Sequence, residues 1–431
     1  MKRIILSVFS LLFVLPVFSQ FSVLLEKYRG MALEYNHDLK AAEKNISASI
    51  ELEKSVRADL KPKLGAGANF QYTGNPAELT LNMPAAGKTL HFQGSDMQYG
   101  ASLSLLQPLY TGGQLLENIR IAQLQQSLAY SQAELVRTSV CYQTDIQYWN
   151  TVARQEVVQV MTGYYQAMSS LVSIIKERVE AGLVDPQDLL MAEVKLNEAE
   201  FQLLQAKNNF ETGRMAFNSL IGVELSVPSE MDTVIPEVVT PDSLLHRDGA
   251  ARPELSLARD RIKIAESNLR LKDSRYKPQL YVGVDGSYSA PGYNFRQDLN
   301  LNYAAYAKLS VPVFEWGKRR KEKRVSAEQI GMATDRLNQV EDQVNLEVQT
   351  ARVALLQASD QVMLTGNSLQ KASENEKKAM ERYSEGKISI LEVIDAQTYR
   401  QTSQLNYIRA KVTAQCRYSD LIKALNNYEA Q

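Results

Sequence analysis

Two hydrophobic periods alternate along this chain. From Val344 the apolar or small positions Val344, Val348, Ala351, Leu355, Ala358, Val362, Thr365, Leu369 and Ala372 recur at steps of four and three. That is a heptad seam, which a helix presents along one side. Proline, the strongest helix breaker, is absent between Pro108 and Pro186 and again after Pro312. Both stretches therefore predict very long helices. Residues 318–385, if continuous, make a rod of about 100 Å at 1.5 Å per residue. Such a rod suits lengthwise packing on other helices and does not fit a compact enzyme core.

Four short segments carry the other period. Leu64, Ala66, Ala68, Phe70 and Tyr72 alternate with Gly65, Gly67, Asn69 and Gln71, and Tyr99, Ala101, Leu103 and Leu105 alternate with Gly100, Ser102 and Ser104. The pattern returns in Leu280, Val282 and Val284, and is longest from Leu299 to Val311. Period-two alternation predicts strands with one apolar and one polar face, here two β-hairpins. At about 9–13 residues the strands suit a tilted crossing of an outer membrane. Phe70, Tyr72, Tyr99, Tyr110, Tyr288, Tyr303, Phe314 and Trp316 are expected at its interfaces. A soluble sandwich with one wet face fits the strands alone, but leaves the long helices unexplained.

Every one of these features occurs twice. "VEAGLVDPQDLLMAE" (179–193) and "YSEGKISILEVIDAQ" (383–397) share their spacing at an offset of 204, pairing Gly182 with Gly386, Asp188 with Glu392 and Ala192 with Ala396. Arg178 and Arg382 stand just upstream, and Ala206-Lys207 matches Ala410-Lys411 downstream. At an offset of 216, "NHDL" (36–39) pairs with "RPEL" (252–255) and "KPKL" (61–64) with "KPQL" (277–280). The change of offset falls in the hairpin loop, so the first loop, about 75–96, is longer than the second, about 289–298. Each repeat reads helix, strand, strand, long helix, turn, helix. The expected layout is a leader at 1–19 and a first repeat at 20–221, with its β-hairpin about 63–110 and helical hairpin about 113–221. A linking region at 222–250 follows, then a second repeat at 251–431, with its β-hairpin about 279–314 and helical hairpin about 318–427.

The leader changes the picture of compartment. Lys2-Arg3 precedes an apolar run from Ile4 to Phe18, with small residues suited to cleavage near Ser19. The run is shorter than the roughly 20 residues that a spanning helix needs. Cys141 and Cys416 are the only cysteines, so neither a lipidated N-terminal cysteine nor a disulfide framework is expected. Without Lys2 and Arg3 the chain holds 46 basic and 49 acidic side chains, which is not a nucleic-acid binder's balance. The basic cluster "KRRKEKR" (318–324) suggests a solvated helix face or contact with phosphate head groups. His37, His91 and His246 lie in separate segments, and no nucleophile–base pair, metal spacing or phosphate loop is visible, so neither enzymatic activity nor a cofactor is expected.

Taken in order, the "NHDL"/"RPEL" starts, the Lys-Pro hairpin entries, the "QPLYTGG"/"VPVFEWG" exits and the two Gly-x5-[DE]-[LV]-[LI]-x-A turns resemble the TolC family of outer-membrane efflux proteins over essentially the whole mature length. The resemblance implies a mainly α fold with β: a homotrimer whose twelve-stranded outer-membrane barrel continues as a helical barrel through the periplasm of a Gram-negative cell. Four strands cannot close a barrel, and an open edge is not tolerated in lipid, so the physics agrees. Pro62, Pro108, Pro278 and Pro312 are expected to mark the strand–helix transitions. The resemblance further implies a passive exit duct that joins a periplasmic membrane-fusion adaptor and an inner-membrane efflux or secretion transporter. Gly182 and Gly386 would lie at adaptor-contacting hairpin tips, and Glu392 and Asp395 would form an acidic ring at the periplasmic entrance. The family also links a tyrosine and an arginine of the second hairpin to an acid of the first. Tyr383 and Asp188 match, but Ile388 occupies the arginine's place. A periplasmic coiled-coil scaffold without a channel is the alternative.

Overall fold

The computed structural model describes residues 22–83, 87–240, 242–292 and 298–428 of the 431-residue chain. The leader reading of residues 1–19 lies outside the described residues, as do 84–86 and 293–297 within the two hairpin loops. In chain order the elements are α1 (Val23–Tyr35), α2 (His37–Ala58), β1 (Lys63–Tyr72), β2 (Glu78–Met83), β3 (Lys88–Gln93), β4 (Met97–Tyr110), α3 (Gln114–Glu180) and α4 (Pro186–Ile221). There follow α5 (Asp242–Leu245), α6 (Pro253–Ser274), β5 (Gln279–Ala290), β6 (Asn300–Ser310), α7 (Lys318–Ser384) and α8 (Ile390–Ala424). The proline-free stretches are thus continuous helices: α3 and α7 have 67 residues each, about 100 Å of rod. Among the described residues no helix is long and apolar enough to cross a membrane.

The chain divides into two compact units. One comprises Ala41–Ala133 and Pro253–Glu341 and contains the strands. Its main sheet is antiparallel in the order β1-β4-β5-β6, so the two hairpins are joined by β4 against β5. The register places the apolar residues together: Phe70 faces Tyr99, Leu64 faces Leu105, Leu105 faces Val284, and Val284 faces Ala305. Small and polar residues share the opposite face, as in the row Gly67, Ser102, Ser287 and Asn302. Pro62 and Pro278 immediately precede β1 and β5, and Pro312 follows β6, whereas Pro108 lies inside β4 at a one-residue bulge. A bulge tolerates proline because the ladder is already interrupted there. The bulge also reverses the side-chain parity, so that Tyr110 pairs with Leu280 and returns to the apolar face. The long first loop is not irregular throughout: β2 and β3 pair within it as a separate two-stranded ribbon.

The other unit comprises the chain up to Lys40, Glu134–Arg252 and Asp342 onward. Its helices enclose a core around Trp149, Tyr148, Phe217, Leu25 and Leu355. The heptad seam of α7 is buried from Val344 to Val362 and half-buried at Thr365, Leu369 and Ala372. The described residues of 222–250 contain only the short α5, yet side chains of the surrounding helices hold them. The Tyr28 hydroxyl donates to Glu230 O at 2.7 Å, Gln415 to Pro236 O at 2.8 Å and Asn218 to Val227 O at 2.8 Å. Buried Glu156 accepts from the Ile235 N–H and pairs with Lys411 at 3.0 Å. A carboxylate so buried is stable because both the ammonium and a backbone donor satisfy it.

Candidate functional site

The duplicated turns are the two helix–helix junctions, α3 to α4 and α7 to α8, and they share one geometry. At the first, Gly182 N–H donates to Val179 O and Leu183 N–H to Arg178 O, both at 2.9 Å. At the second, Gly386 N–H donates to Tyr383 O at 3.0 Å and Lys387 N–H to Arg382 O at 2.9 Å. This pair of bonds is the Schellman closure, which needs a left-handed residue at its hinge. Gly182 and Gly386 supply it with φ of +71° and +74°.

The next helices start differently. The Asp185 side chain accepts from Gln187 N–H at 2.8 Å, with Pro186 at the first helical position. In α8 the Glu392 carboxylate reaches back to the Ser389 N–H at 3.2 Å and to the Ser389 hydroxyl at 3.3 Å. One of the two acids expected at the entrance is therefore also a capping-box residue. Glu392 and Asp395 are both exposed on the same face of α8. The Lys195 ammonium is raised above its ordinary value, first by its hydrogen bond to Glu198 at 2.8 Å and to a smaller extent by Asp395.

Beneath the turns, Met168, Leu171, Ile175, Ala192, Tyr383, Ile390 and Val393 form one apolar cluster drawn from all four helices. Tyr383 is 5 % exposed, and its hydroxyl has no hydrogen-bond partner among the described residues, so no bond joins it to half-buried Asp188. Its partner is a residue to which sequence reasoning gave no role. The Arg178 guanidinium lies 4.8 Å from the Tyr383 ring centroid and donates to Tyr383 O at 3.2 Å and Ser384 O at 3.0 Å. A cation at the carbonyl end of a helix meets both acceptors with spare lone pairs and the negative end of the dipole. Arg178 therefore ties the first hairpin to the end of α7. The available signal was its match with Arg382 at the repeat offset.

Among the described residues no cluster of histidine, cysteine, aspartate or glutamate is arranged to hold a metal ion. Burial pushes the Cys141 and Cys416 thiols up to about 11, so neither is a nucleophile at neutral pH.

A protein-family model described as outer membrane efflux protein matches residues 29–223 and 244–427, which takes in both repeats. The chain is 24% identical over 308 residues to the cobalt-zinc-cadmium resistance protein CzcC of Cupriavidus metallidurans, covering 70% of this chain and 71% of that one. It is 20% identical over 426 residues to the probable outer membrane lipoprotein SilC of Salmonella typhimurium, covering 92% and 84%. Among solved structures, the outer membrane protein VceC of Vibrio cholerae superposes with a TM-score of 0.76 at 16% identity, over 93% of this chain and 95% of that one. The likeness to VceC extends to the whole TolC-like fold, and with the model match across both repeats the chain belongs to the outer membrane efflux protein family.

Proposed function

We propose that this outer-membrane efflux protein is the passive exit duct of a tripartite system, formed by three copies of the chain and joined by a periplasmic adaptor to an inner-membrane transporter. The observation that carries the reading is the four-stranded sheet: one face is apolar, and among the described residues both outer strands, β1 and β6, have an unpaired edge. In lipid each unpaired backbone group costs several kcal/mol, so the edges must be closed, and three copies close them as twelve strands. The helices support the same assembly. On α4, Leu190, Val194, Phe201 and Leu204 repeat at heptad spacing yet are each more than 60% exposed. A second exposed seam runs along α7 through Leu346, Val353, Leu356 and Met363. Their occupant is a neighbouring copy, since seams of this period accept another long helix.

From the aromatic residue Tyr99 to Tyr110 the strand covers about 36 Å, which a tilt of about 45° projects to about 25 Å, the height of a lipid-facing band. Tyr110, Phe314 and Trp316 then mark the inner boundary of the membrane, and Phe70, Tyr72, Tyr99 and Tyr288 the outer. The adaptor meets the Gly182 and Gly386 turns, and the transporter it joins sets the cargo. Three pairs of Glu392 and Asp395 around one axis concentrate cations at the entrance.

Reconstitution into planar bilayers, with native mass measurement of the same sample, tests this reading. A trimer with discrete conductance is expected, and a water-soluble monomer without conductance would favour the scaffold instead. Combined Glu392→Ala and Asp395→Ala should reduce cation selectivity and block by multivalent cations. Unchanged selectivity in a correctly assembled trimer would remove the acidic ring.

A further inference from the structure

We propose that Arg382 is the inter-subunit counterpart of Arg178: it donates to the carbonyl end of α3 in the neighbouring copy, at Val179 O and Glu180 O, and so closes the ring of hairpins at the entrance. The proposal rests on the trimeric reading above. Three observations carry it. First, the two turns close in the same way, with the same pair of backbone bonds and the same left-handed glycine. Second, within one chain the Arg178 side chain of the first hairpin already occupies the end of α7, bonded to Tyr383 O and Ser384 O. Third, at the repeat offset Arg382 matches Arg178, while Val179 and Glu180 match Tyr383 and Ser384. Arg382 is exposed, and among the described residues no ion pair or side-chain hydrogen bond engages it. Among the described residues the end of α3 likewise receives no side-chain donor, only the backbone N–H groups of the turn.

A ring built from three chains alternates first and second hairpins. Each first hairpin reaches its own second hairpin through Arg178, and that accounts for three of the six junctions. The other three lie between copies, where the repeat symmetry presents Arg382 to the end of α3. The physical drive is the same in both: a guanidinium fork satisfies helix-end carbonyls and sits at the negative end of the dipole. One difference remains. Tyr383 offers Arg178 an aromatic face, but its counterpart for Arg382 is Val179, so the junction between copies lacks the cation–π contact.

Cross-linking tests this in the full-length protein, with Cys141→Ala and Cys416→Ala removing the native thiols. Arg178→Cys with Ser384→Cys is the control, and a short bis-maleimide should link that pair within one chain, leaving a monomer on a denaturing gel. Arg382→Cys with Glu180→Cys should instead give covalent dimers and trimers, absent from either single variant. Native mass measurement reports assembly independently. An assembled trimer whose 180/382 pair fails to link, or links only within one chain, overturns the inference and leaves the duct standing. A chain that does not trimerise overturns both.

Discussion

At Gly182 and Gly386 the backbone selects the residue, not crowding. A Cβ on either would meet nothing within 4 Å, so the whole cost of a side chain is the left-handed conformation. That cost is about 1–2 kcal/mol. Gly386→Ala should therefore lower the melting temperature of the detergent-solubilised protein, and Gly386→Asn should recover much of the loss, because asparagine enters the left-handed region more readily. Equal losses in scanning fluorimetry would point to a contact with something outside the chain. The same comparison separates the strand–helix exits of the two repeats. A Cβ on Gly112 would come within 2.5 Å of Ser274 O, whereas its counterpart Trp316 adopts φ of +49° with its side chain in the open. The turns were legible in the sequence because glycine and cap residues act within a few positions. The Arg178 contact was not, because it joins residues 205 apart and is made through backbone carbonyls, which leave no mark on residue type. Asp188 and Tyr383, paired by family pattern, are not hydrogen-bonded to each other here.

At the scale of elements, the heptad seam and the strand alternation carried most of the information, since each repeats often enough to outweigh local exceptions. The bulge at Pro108 and the β2–β3 ribbon escaped because a single inserted residue, or a short pairing inside a loop, breaks no period. Two members of the basic cluster at 318–324 share one carboxylate. Arg319 bonds Asp273 through Nε at 2.8 Å and Nη2 at 3.1 Å, and Lys323 pairs with the same carboxylate at 3.0 Å. These clip the start of α7 to the end of α6. In the first repeat the position matching Asp273 is Arg57, which bonds Glu53 within its own helix, and the link from α2 to α3 is the neutral donor Gln123 on the same Glu53 at 3.3 Å, so no basic cluster is needed at Gln114–Arg120. The Asp273 carboxyl is held down to about 2 from its ordinary 3.8, chiefly by the Arg319 hydrogen bond and further by Lys323. A folded-state value below the unfolded one means stability that is fully present above about pH 4 and lost as the pH falls towards 2. The melting-temperature deficit of Asp273→Asn should accordingly be constant from neutral pH to about 5, then shrink and vanish near pH 2. A deficit that persists at pH 2 would assign the effect to shape and not to charge.

For the molecule as a whole the open question of energy lies at the sheet edges. Within one chain β4 and β5 are paired on both sides, while β1 and β6 are paired on one. The inner strands thus have a neighbour on both sides from Tyr99 to Leu106 in β4 and from Leu280 to Ser289 in β5, and the edge strands depend on another copy. Exposed edges of this kind invite pairing in water and are forbidden in lipid. The apolar face makes the two demands coincide, because the surface that needs lipid belongs to the same strands that need partners. Folding of the sheet and association of three copies should therefore be one event in the membrane. Hydrogen exchange in lipid nanodiscs reads this directly. In the closed trimer the amides of β1 and β6 should be protected to the same degree as those of β4 and β5, because every strand then has two neighbours. Protection confined to β4, β5 and the inward-facing half of the edge amides would describe an unclosed sheet, and with it a chain that has not formed a duct.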